Sequence, residues 1–396
     1  MKARIVSQRL FVSFFFGVIY ELGNLIQLPK YYNTSLFSSS AQQRLLIFSG
    51  GNTNHVTLFC LGIGPLITVQ MIFQVIQYLN TDLDTYFTKS KSGKNVKAIL
   101  MQLLIILLSF CEAIIYLLNL NKNLTFELLF RTTLALVLGT LILNWISEQW
   151  TKRAIGEGVS MLVLLGIINN LLIYVNHKYY GFFDKSVFSF KGNLWENLLE
   201  TTTIFIFIIF CVWGSQINIR LNTESLLSDN HSDKQSYIPI KVNSTGVMPL
   251  VAVNVFFYAI SVVFGNLKIT ILLTSNSILY RLICLIAYCL IMLVVTYSYT
   301  YLCMNPIGMT KSLRRSGMTI VGLSGGDAAK SFVVNLLRKI SFYNFVFLLL
   351  ISLFSSFINN IFKENTIPIG GSSILICVMI LSQTIQQFHS LKFSAN

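Results

Sequence analysis

The chain has 396 residues, of which 54% are hydrophobic and only 11% charged, with a mean hydropathy of +0.67. Soluble domains carry about a quarter charged residues, so this balance excludes an ordinary water-soluble protein and points to an integral membrane one. The formal net charge of +14 does not imply nucleic acid, because the basic residues are scattered over several loops without interleaved aromatics; membrane orientation and anionic headgroups account for it.

A helix needs about 20 mostly apolar residues to cross the hydrocarbon core. Runs of that size, bounded by charge, proline or glycine, predict ten spans in chain order, at 9–28, 57–79, 97–120, 129–150, 158–176, 198–218, 244–264, 279–303, 341–361 and 368–388. The first run follows Lys2, Arg4 and Arg9 and superficially copies a secretory signal. It lacks a small-residue cleavage site and continues into YELGNLIQLP, so it reads as an uncleaved span. Ser35 to Asn54, between the first two spans, contains LLIFSGG and is too short and polar to cross; it is a loop or a re-entrant helix. The fourth and fifth spans turn on a charged, glycine-rich hinge within WISEQWTKRAIGEGVSMLVLLG, Trp145 to Gly166, where Glu148 and Glu157 are expected to pair with Lys152 or Arg153. Two further connections, about 219–242 and 305–340, are too long to be mere links.

Cytoplasmic loops are enriched in Lys and Arg. Placing the N-terminus inside puts Lys2, Arg4 and Arg9, then Lys89, Lys91, Lys94 and Lys97, the hinge pair, Arg220, Lys234 and Lys241, the basic residues of 305–340 and Lys392 in the cytoplasm. Both termini are then expected on the cytoplasmic face of a multi-pass protein of the cell membrane.

The chemistry-bearing residues are few. Cys60, Cys111, Cys211, Cys284, Cys289, Cys303 and Cys377 lie in or beside apolar runs without metal or redox spacing, and read as small core residues. His55, His177, His231 and His389 are far apart, and no phosphate loop, H-E-x-x-H or G-x-S-x-G occurs; Gly325 and Gly326 sit in VGLSGGD without the lysine that phosphate binding needs. No catalytic residue, metal or cofactor is expected. Glu112 is the one carboxylate deep in a span, and an ionisable group there is costly enough to be a functional candidate, unless it merely bonds a neighbouring backbone group.

Five segments, in order, resemble the SecY protein-conducting channel family: YELGNLIQLP with the following SGG at Ser49 to Gly51 and LGIGPLITVQMIFQVI from Leu61; the hinge WISEQWTKRAIGEGVS; YIPIKVNSTGVMPL from Tyr237; and IPIGGSSILICV from Ile367. Pro65, Pro249 and Pro368 suit helix starts or bends, and Gly156, Gly158, Gly370 and Gly371 suit tight turns or close helix approach.

The resemblance implies an all-α integral membrane fold of ten transmembrane helices in two pseudo-symmetric five-helix halves, 1–180 and 181–396, around a central pore. A short plug helix at about 41–55 would carry Gln42, Leu46, Phe48, Gly50 and Gly51. A sealing ring falls on Ile67, Met71, Val159, Val163, Met248 and Ile376. Independently, Ile67 with Met71 and Val159 with Val163 are i,i+4 pairs on one helix face, a spacing found throughout membrane bundles. The family's lateral gate between the second and seventh spans implies a polar role for Gln74, Glu112, Asn243 and Asn254.

With no engine of its own, such a channel takes energy from a partner docking on the two long loops, through Arg220, Lys234, Lys311, Arg314, Arg315, Ser324 and Lys330. The expected partners are a SecE-like small membrane subunit, a SecA-type motor ATPase, the unfolded preprotein and lipid, with no nucleic acid. Three departures stand out: Ser324 replaces the family's arginine before PGE, the 6–7 loop NTESLLSDNHSDKQS is acidic and polar, and no basic tail follows the last span before Asn396. They resemble the accessory SecY of Gram-positive bacteria, which exports large serine-rich glycoprotein adhesins with a dedicated motor. The alternatives are a housekeeping general translocon and, in a different class, a ten-span secondary transporter built from inverted repeats.

Overall fold

The computed structural model describes residues 2–28, 51, 56–80, 83, 86–87, 90–120, 125–179, 194–225, 235–243, 246, 248–253, 278–320, 327–361 and 371–395. They fall into two compact units, Met1–Leu194 with Phe362–Asn396, and Trp195–Ile361. In the first lie helices α1 (Lys2–Leu25), α2 (Gly64–Leu79), α3 (Lys91–Leu120), α4 (Phe126–Arg153) and α5 (Gly158–Tyr179). The second unit contains α6 (Leu194–Gln216, all but its first residue), strands β1 (Asn218–Ser225) and β2 (Gln235–Lys241), a helical stretch over 248–253, α7 (Ile278–Met304), α8 (Pro306–Arg315), β3 (Met318–Ile320) and α9 (Asp327–Ile361). The last helix, α10 (Gly371–Ala395), returns to the first unit, where it packs on α5 and α1.

Helices dominate because lipid offers no partner for backbone N–H and C=O groups, which a helix satisfies within itself. Three helical segments among the described residues are long and apolar enough to cross a membrane, Lys91–Leu118, Phe126–Arg153 and Ala328–Phe354, and shorter apolar stretches occupy Gly64–Gln77, Gly158–Asn170, Phe205–Gln216, Leu285–Tyr301 and Ser373–His389. Their outward faces are apolar: Ile99, Leu103 and Leu107 on α3 are each more than half exposed, at the i,i+4,i+8 spacing of a single stripe. Such a stripe in water would be an aggregation site, and in lipid it is the expected surface. Hydroxyls inside the helices, Thr132, Thr133, Thr140 and Ser147 among them, donate back to carbonyls three or four residues earlier.

Several helix ends differ from expectation by a turn or more, and two of them have a visible cause. The second span was expected from 57, yet residues 57–63 are not helical: Thr57 forms a lone antiparallel bridge with Gln27, turns follow through Gly62 at φ +59°, and α2 starts at Gly64 with Pro65 in its first turn. The missing proline N–H costs nothing there. The ninth span was expected from 341, yet α9 begins at Asp327, because its first turns form an amphipathic extension packed on protein.

The first unit is built around a core of Phe16, Tyr20, Phe59, Leu66, Phe73, Ile105, Leu143, Trp150 and Leu162, with Trp150 stacked on Phe16 at 5.9 Å between ring centroids. A second cluster of Leu28, Val56, Cys60, Leu61, Ala113, Tyr116, Leu117 and Leu136 lies towards the other end of α3. In the second unit α6 and α7 pack on α9, with Phe207 and Phe354 stacked at 4.9 Å.

Candidate functional site

The hinge between α4 and α5 is held at four points. Trp150 is buried and donates its indole N–H to the Ile155 carbonyl at 3.0 Å. Thr151 Oγ1 accepts the Gly158 N–H at 2.9 Å. Gly156, at φ +91°, donates its N–H to Gln387 Oε1 on α10 at 3.1 Å. Any Cβ at Gly158 would lie 2.0 Å from the Ser147 carbonyl oxygen, so only glycine permits this approach of α4 and α5. The expected ion pairs of Glu148 and Glu157 do not form: both are exposed, Glu157 accepts from the Ser160 hydroxyl at 3.4 Å, and the one ion pair among the described residues is Arg131–Glu127 on α4. Pairing between exposed charges is worth little, so its absence at the hinge costs little.

Five of the six expected ring positions lie in the first unit. Ile67 and Met71 share a face of α2, Val159 and Val163 a face of α5, and Ile376 stands on α10, which packs on α5. Ile67, Val163 and Ile376 are buried, and Met71 and Val159 half-buried. Met248, in the second unit, is half-buried in the helical stretch that also holds Pro249.

The polar gate positions are dispersed. On the α2–α3 pair, Cys60 Sγ meets the Tyr116 hydroxyl at 3.0 Å near one end, and Lys97 Nζ donates to Gln77 Oε1 at 3.3 Å near the other. This antiparallel register puts half-buried Glu112 one turn from Tyr116 and exposed Gln74 one turn from Gln77, so the pair is separated along the helices. Asn243 is buried beside the end of β2 in the second unit, and Asn254 lies outside the described residues. So do Gln42, Leu46, Phe48 and Gly50 of the expected plug. Gly51 is described: it is buried, its carbonyl accepts from Asn170 Nδ2 on α5 at 3.2 Å, and a Cβ there would lie 2.0 Å from the Cys60 carbonyl oxygen.

The described parts of the two long connections of the second unit form one folded body. β1 pairs antiparallel with β2 and with β3, in the order β2-β1-β3. Leu221, Ile240, Ile320, Val333, Leu337 and Ile340, from the three strands and the first turns of α9, form a single core. α8 packs on α9 and is capped by Asn305, whose side chain accepts the Gly308 N–H at 3.0 Å. Arg220 on β1 and Lys311, Arg314, Arg315 and Lys330 on α8 and α9 are all exposed. The Arg220 guanidinium stands 5.1 Å over the Tyr237 ring, which the diagonal pairing Arg220↔Pro239 and Asn222↔Tyr237 brings beneath it. Lys234 and Ser324 lie outside the described residues. No cluster of metal-ligating side chains occurs among those described.

Sequence reasoning missed Thr151, Asn170 and Gln387. A tandem Asn169-Asn170 inside an apolar span was a usable signal for the second. Nothing local marks Gln387, whose partner is 231 residues away.

The family model for SecY matches residues 57–385. The protein translocase subunit SecY 1 of Lactobacillus kefiranofaciens subsp. kefiranofaciens is 22% identical, covering 98% of this chain and 95% of its own length. The protein translocase subunit SecY of Thermotoga maritima is 26% identical, over 87% and 80%. Among solved structures, one described as a protein conducting channel aligns over 99% of this chain and 94% of its own, at 17% identity and a TM-score of 0.67. A SecY structure concerned with a plug domain that stabilises the closed state and maintains a membrane seal aligns over 99% and 93%, at 18% identity and a TM-score of 0.68.

Proposed function

The chain belongs to the SecY family of protein translocase channel subunits, and we propose that it serves an accessory export system, passing large unfolded serine-rich glycoprotein adhesins. In this reading a SecE-like small membrane subunit braces the channel and a dedicated SecA-type ATPase drives it. Both termini face the cytoplasm, and the chain itself carries no catalytic centre. Ile67, Met71, Val159, Val163, Met248 and Ile376 close the waist. Gln42 to Gly51 supply the plug, a role supported by the plug of the similar SecY structure and by the close seating of Gly51. Gln74, Glu112, Asn243 and Asn254 line the sideways exit.

The observation that carries the accessory reading is the sheet-and-helix body of the second unit, which this reading places in the cytoplasm. Arg220, Lys311, Arg314, Arg315 and Lys330 make it a basic docking surface, while Ser324 stands where the resemblance expects an arginine. Exchanging a guanidinium for a hydroxyl removes a five-donor fork along with its charge, so the surface suits a different motor face. Membership of the SecY family sets the secondary-transporter alternative aside. The housekeeping translocon is the rival, and deletion of the gene separates the two. Loss of one or a few large glycoproteins from the secreted and wall fractions, with general secretion intact, is the expected result; general secretion failure or lethality would identify a housekeeping channel.

A further inference from the structure

Gly51 is held between a fixed turn and α5. The turn, residues 57–63, is tied down by main-chain bonds: the Leu58 N–H donates to the Ile26 carbonyl at 3.0 Å and the Leu28 N–H to the Val56 carbonyl at 2.9 Å. A Cβ at Gly139 on α4 would lie 2.0 Å from the Leu58 carbonyl oxygen, and one at Gly51 2.0 Å from that of Cys60, so Gly51 lies backbone to backbone on this turn. Its link to α5 is of another kind: the side-chain amide of Asn170 donates to the Gly51 carbonyl at 3.2 Å, between two buried residues. We propose that this bond is a latch of the resting channel, with Asn170 the positioning residue that holds Gly51 and the turn against α5 and lets them go when water enters the waist. The proposal rests on the channel reading and adds to it a residue outside the expected ring and plug.

Placement favours a latch over a plain structural tie. Val159, Val163 and Asn170 fall at i, i+4 and i+11 on α5, within about 40° of one another around the axis. The face that carries two expected ring positions therefore carries Asn170, about 10 Å beyond Val163 and on the side away from the hinge. Val163 and Asn170 are equally buried, at 5% exposure each. An amide in an apolar span costs free energy unless it is bonded, and leucine would pack there without that cost.

The two sides of Gly51 differ in what it takes to undo them. The turn keeps its main-chain ties to the end of α1, and Cys60 Sγ meets the Tyr116 hydroxyl on α3 at 3.0 Å, so it stays with α1 and α3. Release from α5 parts one amide N–H from one carbonyl.

The strength of that bond depends on whether its surroundings are dry. In a water-excluded site a hydrogen bond is electrostatically stronger, and breaking it leaves two buried polar groups unsatisfied. Once a polypeptide opens the waist and water follows, donor and acceptor each exchange their partner for water at little net cost. The latch is thereby tight in the sealed state and weak in the open one, without any charged group at the site.

The test uses the full chain in complex with its partner subunits, reconstituted in lipid vesicles, and reads resting ion flux without substrate or nucleotide alongside export. N170L removes the donor at similar volume, and N170Q keeps an amide. The expected result is a resting flux raised about fivefold in N170L, as loss of one modest hydrogen bond would, with inserted protein and export undiminished, and a flux near the parent's in N170Q. G51A, whose Cβ would press on the Cys60 carbonyl, should leak as well. N170L combined with G51A should leak no more than the leakier single variant, since both undo one contact. I67N with V163N serves as the reference. If that pair leaks and N170L does not, the latch is overturned and the channel stands; if neither leaks, both fall. Glutamine no better than leucine, or single effects that combine in full in the double variant, contradict a latch made by this bond. A leak matched by equal loss of inserted protein and export shows a structural tie and overturns the proposal.

Discussion

Gly158 shows how little room the hinge leaves. A methyl there would press on the Ser147 backbone carbonyl, which cannot swing aside as a side chain would. Gly158→Ala should therefore push α4 from α5 and cost about 2 kcal/mol, the ordinary penalty of overpacking. Gly308→Ala is the control: a Cβ there meets only the side chain of Asn305 at 3.2 Å, and the change should stay within about 0.5 kcal/mol. Unfolding of both variants in detergent micelles measures the difference; equal stability would mean the hinge is looser than described. The glycines and tryptophans of this hinge were legible in the sequence because they are local. The Gln387 contact was not, since a polar residue near the end of an apolar helix ordinarily faces water or headgroups.

At the scale of elements, hydropathy located the long apolar helices and misplaced some of their ends, while the short polar α8, inside a connection, gave no such signal. It detects the stretch that crosses lipid and is blind to a helix that runs on into water, so α9 was read from 341 although it starts at Asp327. It also read residues 57–63 as span, since apolar residues at a bridge and turn resemble apolar residues in a helix. The two long connections were legible as too long to be linkers, yet not as one body, because strand pairing between 218–225 and 318–320 leaves no local pattern. The shared core has a direct consequence. Moving 305–340 alone into a housekeeping SecY would part Ile320, Val333 and Leu337 from Leu221 and Ile240. That graft should misfold and be degraded, whereas 219–242 and 305–340 moved together should fold and favour the dedicated motor. Export assays with each ATPase, alongside immunoblots of both grafts, decide the matter. Equal export by the housekeeping motor through the double graft would remove the dedicated-partner reading.

For the whole molecule, composition alone required a membrane protein, and the exposed apolar stripe of α3 is the surface such a protein shows to lipid. A pore through it must still hold back ions at rest, and converging apolar side chains do this by excluding water from a narrow waist. Ile67 on α2 and Val163 on α5 are two of the three buried positions proposed for the ring in one compact unit, and a double variant can make both polar. Ion flux across vesicles reconstituted with the full complex, without substrate or nucleotide, is the measurement. With Ile67 and Val163 both changed to Asn, a steady leak above that of the parent protein is predicted. Flux indistinguishable from the parent, with the variant folded and inserted in equal amount, would contradict a channel sealed at these residues.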